Sequence, residues 1–245
     1  MGAMFLRAIA MVCAIVLSPA SIVFSDGFEN QTGTTPTGRW QVTTPNCSGT
    51  GTATIDRTVA RSGSASLRIA GGGTYCNHVF ADDSTDMRAA SPTWFVRFWI
   101  DHTTPLPTGH VTFLAMNDAA DNNTDLRFGA QNGALMWNRQ SDDATLPDQS
   151  PAGVAQSVVL PTGRWTCVEF GVDGAGDIDT WVNGTAVPGL TENGMPTPGV
   201  TDQWLNSGHW RPSVTDLKLG WESYEGETDT LWFDDVALGT SRIGC

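Results

Sequence analysis

The sequence has few basic residues, almost no tyrosine and no long apolar run beyond its first twenty residues. Lys and Arg number 13 against 26 Asp and Glu, a formal net charge of -13 over 245 residues. A chain this acidic repels polyanions at long range, which excludes nucleic acid and anionic membrane surfaces as natural partners. An acidic polysaccharide would need cations placed locally in its cleft. Zinc spacings are absent: there is no Cys-x-x-Cys and no His-Glu-x-x-His. No Gly-x-Ser-x-Gly marks a serine hydrolase, and no Glu-x-Asp-x-x-Glu strand motif offers the paired carboxylates of a glycoside hydrolase. Glu222-Ser223-Tyr224-Glu225-Gly226-Glu227 has acids, but not at a spacing that sets a pair on one strand face. The acidic run Asp118–Asp125 lacks the Gly and terminal Glu of an EF-hand.

What is present begins with a leader. Arg7, the apolar run Ala8–Leu17 and Ser18-Pro19-Ala20 have the form of a secretory signal, and the run is too short to span a bilayer. We expect residues 1–20 to be removed, leaving residues 21–245 as one secreted, soluble, monomeric domain. Cys13 leaves with the leader, and Cys47, Cys76, Cys167 and Cys245 remain. An even number in an exported chain reads as two disulfides with three possible connectivities. Cys47–Cys76 would join two loops rich in Gly, Ser and Thr, and Cys167–Cys245 would pin a chain end that otherwise frays; this pairing is preferred.

Helical periodicity is missing. Short alternating runs of β-branched and aromatic residues, separated by Gly, Pro, Asn and Asp, predict strands at Ser66–Ala70, Trp94–Ile100, His110–Met116, Leu126–Ala130, Arg164–Phe170, Ile178–Val182, Leu217–Trp221 and Thr230–Leu238. Many short strands in one chain predict an all-β sandwich or jelly roll. Ser141–Gly153 and Pro188–Pro212 read as long surface loops.

Alternation assigns each strand an apolar face and a second face bearing charge or aromatics. Collected on one open sheet face, Arg97, His110, Arg127, Gln131, Lys218, Glu222 and Tyr224 would suit uronic-acid chemistry. β-Elimination removes the C5 proton of a uronate, which requires the adjacent carboxylate to be neutralised; a Tyr or His then serves as base and a Tyr as acid. The same positions are also what a sandwich presents to solvent. Of ten Trp, Trp40, Trp94, Trp165 and Trp232 are expected mostly in the core, whereas Trp99, Trp137, Trp181, Trp204 and Trp210 offer ring faces for sugars. Asp125 lies on the polar face with Arg127. A further constellation joins Asp26–Glu29, Ser62–Ser64 and Phe233–Val236, where oxygen donors from three segments would suit a structural Ca²⁺ clipping the termini together.

Several motifs carry a family resemblance. Pro45–Gly51, Arg61–Ser64, Gly71–His78, Arg164–Phe170, Trp181–Gly184, Leu219–Tyr224 and Asp234–Val236 resemble the fungal cellulose-induced protein family over nearly the whole mature chain. That family is similar to glucuronan lyase and, more distantly, alginate lyase. The resemblance implies a secreted jelly roll of concanavalin-A-like type with disulfides matching Cys47–Cys76 and Cys167–Cys245. It also implies a structural Ca²⁺ held by Glu29, Ser62 and the Asp234-Asp235 pair, with Ala65 supplying only a carbonyl. Its cleft residues match His110, Arg127, Gln131 and Tyr224, and a family histidine is replaced by Asp125. The expected function is a lyase of uronic-acid-containing glucan. In it Tyr224 serves as base and acid, His110 assists, Arg127 and Gln131 neutralise the carboxylate, and Arg97 and Lys218 hold neighbouring carboxylates. Trp99, Asp125, Trp137 and Glu222 complete the substrate contacts. The alternative is a lectin-like module binding polyuronide or β-glucan without turnover.

Overall fold

The computed structural model describes residues 21–47, 49–72, 76–208 and 210–245. The expected signal segment and part of the Gly71–His78 motif lie outside them. Fifteen strands are described: β1 (Ile22–Asp26), β2 (Gln41–Thr43), β3 (Thr52–Asp56), β4 (Ser66–Ala70), β5 (Val79–Asp83), β6 (Thr93–His102), β7 (Val111–Asp118), β8 (Thr124–Gln131), β9 (Ala134–Arg139), β10 (Ala144–Leu146), β11 (Thr166–Asp173), β12 (Ile178–Val182), β13 (Thr185–Ala186), β14 (Leu217–Ser223) and β15 (Thr230–Gly239). The eight expected strands are all among them. Among the described residues helix is confined to single turns: α1 (Met87–Ala90), α2 (Pro151–Val154), α3 (Asp202–Asn206) and a 3₁₀ turn at Pro188–Leu190.

The strands form two antiparallel sheets packed as a jelly-roll sandwich. The eight-stranded sheet runs β13-β12-β11-β6-β15-β4-β3, with β1 also pairing with β15. The seven-stranded sheet runs β10-β9-β8-β7-β14-β5-β2. The inner faces follow the alternation. Trp94, Val96, Phe98 and Ile100 of β6 meet Leu126 and Phe128 of β8, and Leu217, Leu219 and Trp221 of β14, in one buried cluster.

Two segments read as loops hold structure. Ser141–Gly153 contains β10 and the start of α2, and Pro188–Pro212 contains the 3₁₀ turn and α3. Strand β9 was not expected, because Ala134–Arg139 is buried on both faces and shows no polar alternation. Its signal is the preceding Asn132-Gly133, whose φ values of 53° and 76° make the two-residue turn that suits a tight hairpin. On β9, Trp137 points inward rather than toward a ligand. It is fully buried, lies 4.7 Å from Phe128 and 4.9 Å from Phe170 between ring centroids, and donates from Nε1 to Thr180 Oγ1 at 3.0 Å. Its expected role at a sugar subsite is therefore corrected to core packing.

Both preferred disulfides form, Cys47–Cys76 and Cys167–Cys245. Closing loops with separations of 29 and 78 residues is worth roughly 3.5–4.5 kcal/mol each in the chain-entropy account. Beside the second disulfide, the buried Glu169 accepts from Ile243 N at 2.6 Å, Gly244 N at 3.2 Å and Arg242 Nη2 at 3.1 Å, so the C-terminal tail is held by a carboxylate as well as by sulfur.

Candidate functional site

The expected single polar face is divided between the two sheets. Arg97 and Trp99 belong to β6 in the eight-stranded sheet, while Arg127, Gln131, Lys218 and Glu222 belong to the seven-stranded one. Sheets that pack by their inner faces present their outer faces on opposite sides of the molecule, so Arg97 and Trp99 cannot share a ligand with Arg127. Arg97 instead donates to Gly244 O at 3.4 Å, and the Arg61 guanidinium lies 4.0 Å over the Trp99 ring.

On the outer face of the seven-stranded sheet, strand register places Asn138, Arg127, Ala115, Lys218 and Asp82 in one row across β9, β8, β7, β14 and β5. The neighbouring row holds Met136, Gly129, Thr112 and Glu222. A bulge in β7 between Thr112 and Leu114 draws its backbone against β8. A Cβ on Gly129 would lie 1.9 Å from Val111 O, so only glycine fits there.

Arg127, Glu222 and Tyr224 form the centre. Arg127 Nη2 lies 3.0 Å from Glu222 Oε1 and donates to the Tyr224 hydroxyl at 3.3 Å, while its Nη1 reaches Asn138 Oδ1 at 3.4 Å. The Glu222 carboxylate lies near enough to the phenol for its charge to act on it. Burial raises the pKa of Glu222, against the opposing charge of Arg127. Burial and the Glu222 charge likewise raise Tyr224. Tyr224 is therefore a neutral phenol, suited to giving a proton rather than to the expected part as base.

His110, just before β7, has its pKa pushed down to about 4 by burial and by the charge of Arg127. Its imidazole is thus unprotonated at neutral pH, with a lone pair available. His78 lies beneath the centre and was not selected from sequence. Its Nδ1 is 2.9 Å from Pro45 O, which only accepts, so that nitrogen carries a proton and donates it. The ring meets Tyr224 edge-on at 4.9 Å, and Nδ1 lies 3.8 Å from Glu222 Oε2. The Cys47–Cys76 bridge and the His78 N to Cys47 O hydrogen bond of 3.2 Å hold this segment in place. Asn138, the other residue overlooked, occupies the unexpected β9 and donates from Nδ2 to Asp143 at 3.1 Å.

Three expected roles change with geometry. Gln131 shares a face with Arg127 but lies four residues along β8, about 13 Å away. Its Nε2 donates to Gln149 at 3.1 Å, so the two do not grip one carboxylate. Lys218 is 5% exposed and its ammonium lies 3.0 Å from Asp125 Oδ1 and 2.8 Å from Asp216 Oδ2. That charge is already neutralised, which corrects its assignment as a holder of substrate carboxylate. Asp125 is the partner of Lys218 rather than an independent ligand contact.

Away from the Arg127 row, Glu29 of the expected calcium set accepts from Ser64 N, Ala65 N and Ser64 Oγ at 2.9, 3.0 and 2.8 Å. Asp234 accepts from Arg61 N and Ser62 N at 2.8 and 3.1 Å, and Asp235 accepts from Ser62 Oγ at 2.9 Å. The residues expected to hold calcium are therefore gathered around the Ser62–Ala65 turn. Among the described residues no three His, Cys, Asp or Glu side chains converge on a metal position. Glu29 Oε1 and Asp234 Oδ2 each accept two backbone N–H groups, while Glu29 Oε2, Asp234 Oδ1 and the Asp235 carboxylate each keep a lone pair; these oxygens, with those of the turn, fit a hard cation.

Residues 27–241 match the family described as polysaccharide-lyase-like, Cip1-like core domain. The structure of a cellulose-induced protein, Cip1, superposes with a TM-score of 0.82 at 39% identity, covering 91% of this chain and 99% of that one. The endo-β-1,4-glucuronan lyase of the fungus Trichoderma reesei superposes with a TM-score of 0.53 at 14% identity, covering 90% of this chain and 96% of that one. The binding domain of a botulinum neurotoxin of serotype D/C shares the fold at a TM-score of 0.54 and 10% identity, over 91% of this chain and 49% of that one. No curated protein is similar in sequence. The chain belongs to the Cip1-like group of polysaccharide-lyase-like proteins.

Proposed function

We propose that this protein is a secreted lyase that cleaves uronic-acid-containing glucan by β-elimination. The observation that carries the reading is Arg127 joined to Glu222 by an ion pair of 3.0 Å and to Tyr224 by a hydrogen bond of 3.3 Å, with an unprotonated His110 close enough to feel the Arg127 charge. Arg127 faces the uronate carboxylate, and its buried Nε has no protein partner. Burial weakens the hold of the Glu222 carboxylate on the guanidinium, so a substrate carboxylate competes with it for Arg127. His110 removes the C5 proton, the electron pair forms the C4–C5 double bond, and the C4–O bond to the preceding sugar breaks. Tyr224 gives its proton to the departing oxygen, and proton return from His110 resets the pair. His78 and Asn138 act as positioning residues. The match to the Cip1-like family and the likeness in fold to a glucuronan lyase support the substrate class.

The test is incubation with glucuronan and with mixed glucuronate–glucose polymers, following ultraviolet absorbance of the unsaturated ends that only elimination creates. Absorbance gained in step with new reducing ends is the expected outcome. Glycan binding with no absorbance gain on any uronate polymer would overturn the lyase and leave a carbohydrate-binding protein.

The same reading includes a structural Ca²⁺ held by Glu29, by oxygens of the Ser62–Ala65 turn and by the Asp234-Asp235 pair. An ion at a hundredfold excess over its Kd stabilises by about 2.7 kcal/mol, roughly 5–10 °C in Tm for a domain of this size. A chelator is expected to lower Tm by that amount and added Ca²⁺ to restore it. An unchanged Tm removes calcium from the account.

A further inference from the structure

The row that carries Arg127 continues across β7 to Lys218 and Asp82, and there the electrostatics change sign. Asp82, Asp125 and Asp216 surround one ammonium. Lys218 is within 3.0 Å of Asp125 and 2.8 Å of Asp216. Asp82 is the Cα partner of Lys218 across the β5–β14 ladder, and its Oδ1 is enclosed without a hydrogen-bond partner in the protein. Burial and the Asp216 charge hold its pKa up at about 6. The enclosed Thr43 Oγ1 is also unpartnered. Asp82 and Thr43 line a hollow of about 270 Å³ with Asn117, Asn123, Gln140 and Lys218.

Two contributions could be imagined for Lys218, and the geometry selects between them. A free ammonium would draw a second uronate carboxylate to this position. An ammonium already bonded to two carboxylates, with a third beside it, leaves the hollow with excess negative charge. A carboxylate entering it would face that charge at short range in a partly desolvated space, where like charges repel strongly. Sugar hydroxyls meet the opposite situation. Carboxylate oxygens accept from them, and the Asn, Gln and Thr side chains can both donate and accept. Asp125 and Arg127 are two residues apart on one strand face, about 7 Å. The hollow therefore abuts the place where Arg127 faces a uronate.

We propose that this hollow is a specificity subsite that accepts a neutral hexose beside the uronate held at Arg127 and rejects a second uronate. The substrate is then a mixed polymer in which glucuronate neighbours a neutral sugar, not a homopolymer of glucuronate. This rests on the assignment of Arg127 to the uronate carboxylate, and it concerns the neighbouring sugar.

Calorimetric binding of two defined oligosaccharides tests it: an oligoglucuronate, and one of equal length alternating glucuronate with glucose. The mixed oligosaccharide is expected to bind at least tenfold more tightly to the unaltered protein. In Asp82→Asn, which keeps the shape and lowers the negative charge, the ratio is expected to shrink toward unity through better binding of the oligoglucuronate. Equal or tighter binding of oligoglucuronate by the unaltered protein, failure to bind either, or a ratio unmoved by Asp82→Asn would overturn the subsite. The absorbance of unsaturated ends, read on the same two compounds, reports separately on elimination. Preferential binding without absorbance would remove the lyase and keep the subsite, and turnover with no preference would do the reverse.

Discussion

Tyr224→Phe is expected to lower turnover on a uronate polymer by about 10²–10⁴-fold, the usual range for a lost proton transfer, with binding and Tm nearly unchanged. The substitution removes one hydroxyl and keeps the ring that meets His78 edge-on. The lost oxygen accepts from Arg127, but Arg127 keeps its direct pair with Glu222 at 3.0 Å, so no buried charge is left alone. Because burial and Glu222 raise the phenol's pKa, Tyr224 acts from its protonated state. Activity in the parent should then persist well above neutral pH rather than require phenolate. Steady-state kinetics on the parent and the variant check both points. Full activity in Tyr224→Phe would remove the phenol from the mechanism and leave His110 to supply both proton steps.

Trp137→Ala is expected to cost about 3–5 kcal/mol of stability, the range for truncating a large buried aromatic, and roughly 10 °C in Tm. The ring sits at the centre of a cluster with Phe128 and Phe170, and its removal leaves a cavity between the two sheets. It also strands the buried Thr180 hydroxyl that its Nε1 meets at 3.0 Å, which adds a desolvation penalty. Folded variant should bind glycan as the parent does. Thermal unfolding alongside glycan titration separates the two possible roles. A variant with parental Tm and weakened sugar binding would show that the ring belongs to the cleft.

The difference between Trp137 and Tyr224 shows what could be read in advance. Tyr224 follows β14, where Leu217, Leu219 and Trp221 alternate with Lys218, Gly220 and Glu222, so its neighbours on the polar face were legible from spacing alone. Trp137 sits on β9, which is buried on both faces, so alternation there says nothing about which side meets water. The Asn132-Gly133 turn was the available sign that a strand pair begins there, and it carries Asn138 into line with Arg127. His78 escaped notice for a different reason. It stands just before β5, and its place under Tyr224 depends on the disulfide and on Pro45.

The sequence by itself determined the sandwich, because a period of two can bury only one face of each strand and many such strands must cover one another. It also determined that acid outnumbers base, and its cysteines anticipated both bridges. Only the tertiary structure decided which outward faces belong together. Alternation gives every strand two sides but does not say which sheet the strand joins, since that is set by pairings between distant segments. Arg97 and Arg127 look equivalent along the chain and end on opposite sides of the molecule, because β6 pairs with β11 and β15 while β8 pairs with β7 and β9. Lys218 looks like a free cation in sequence. Asp125, on a strand 93 residues away, bonds its ammonium and takes it out of substrate binding, because a buried charge is held only where its partners converge.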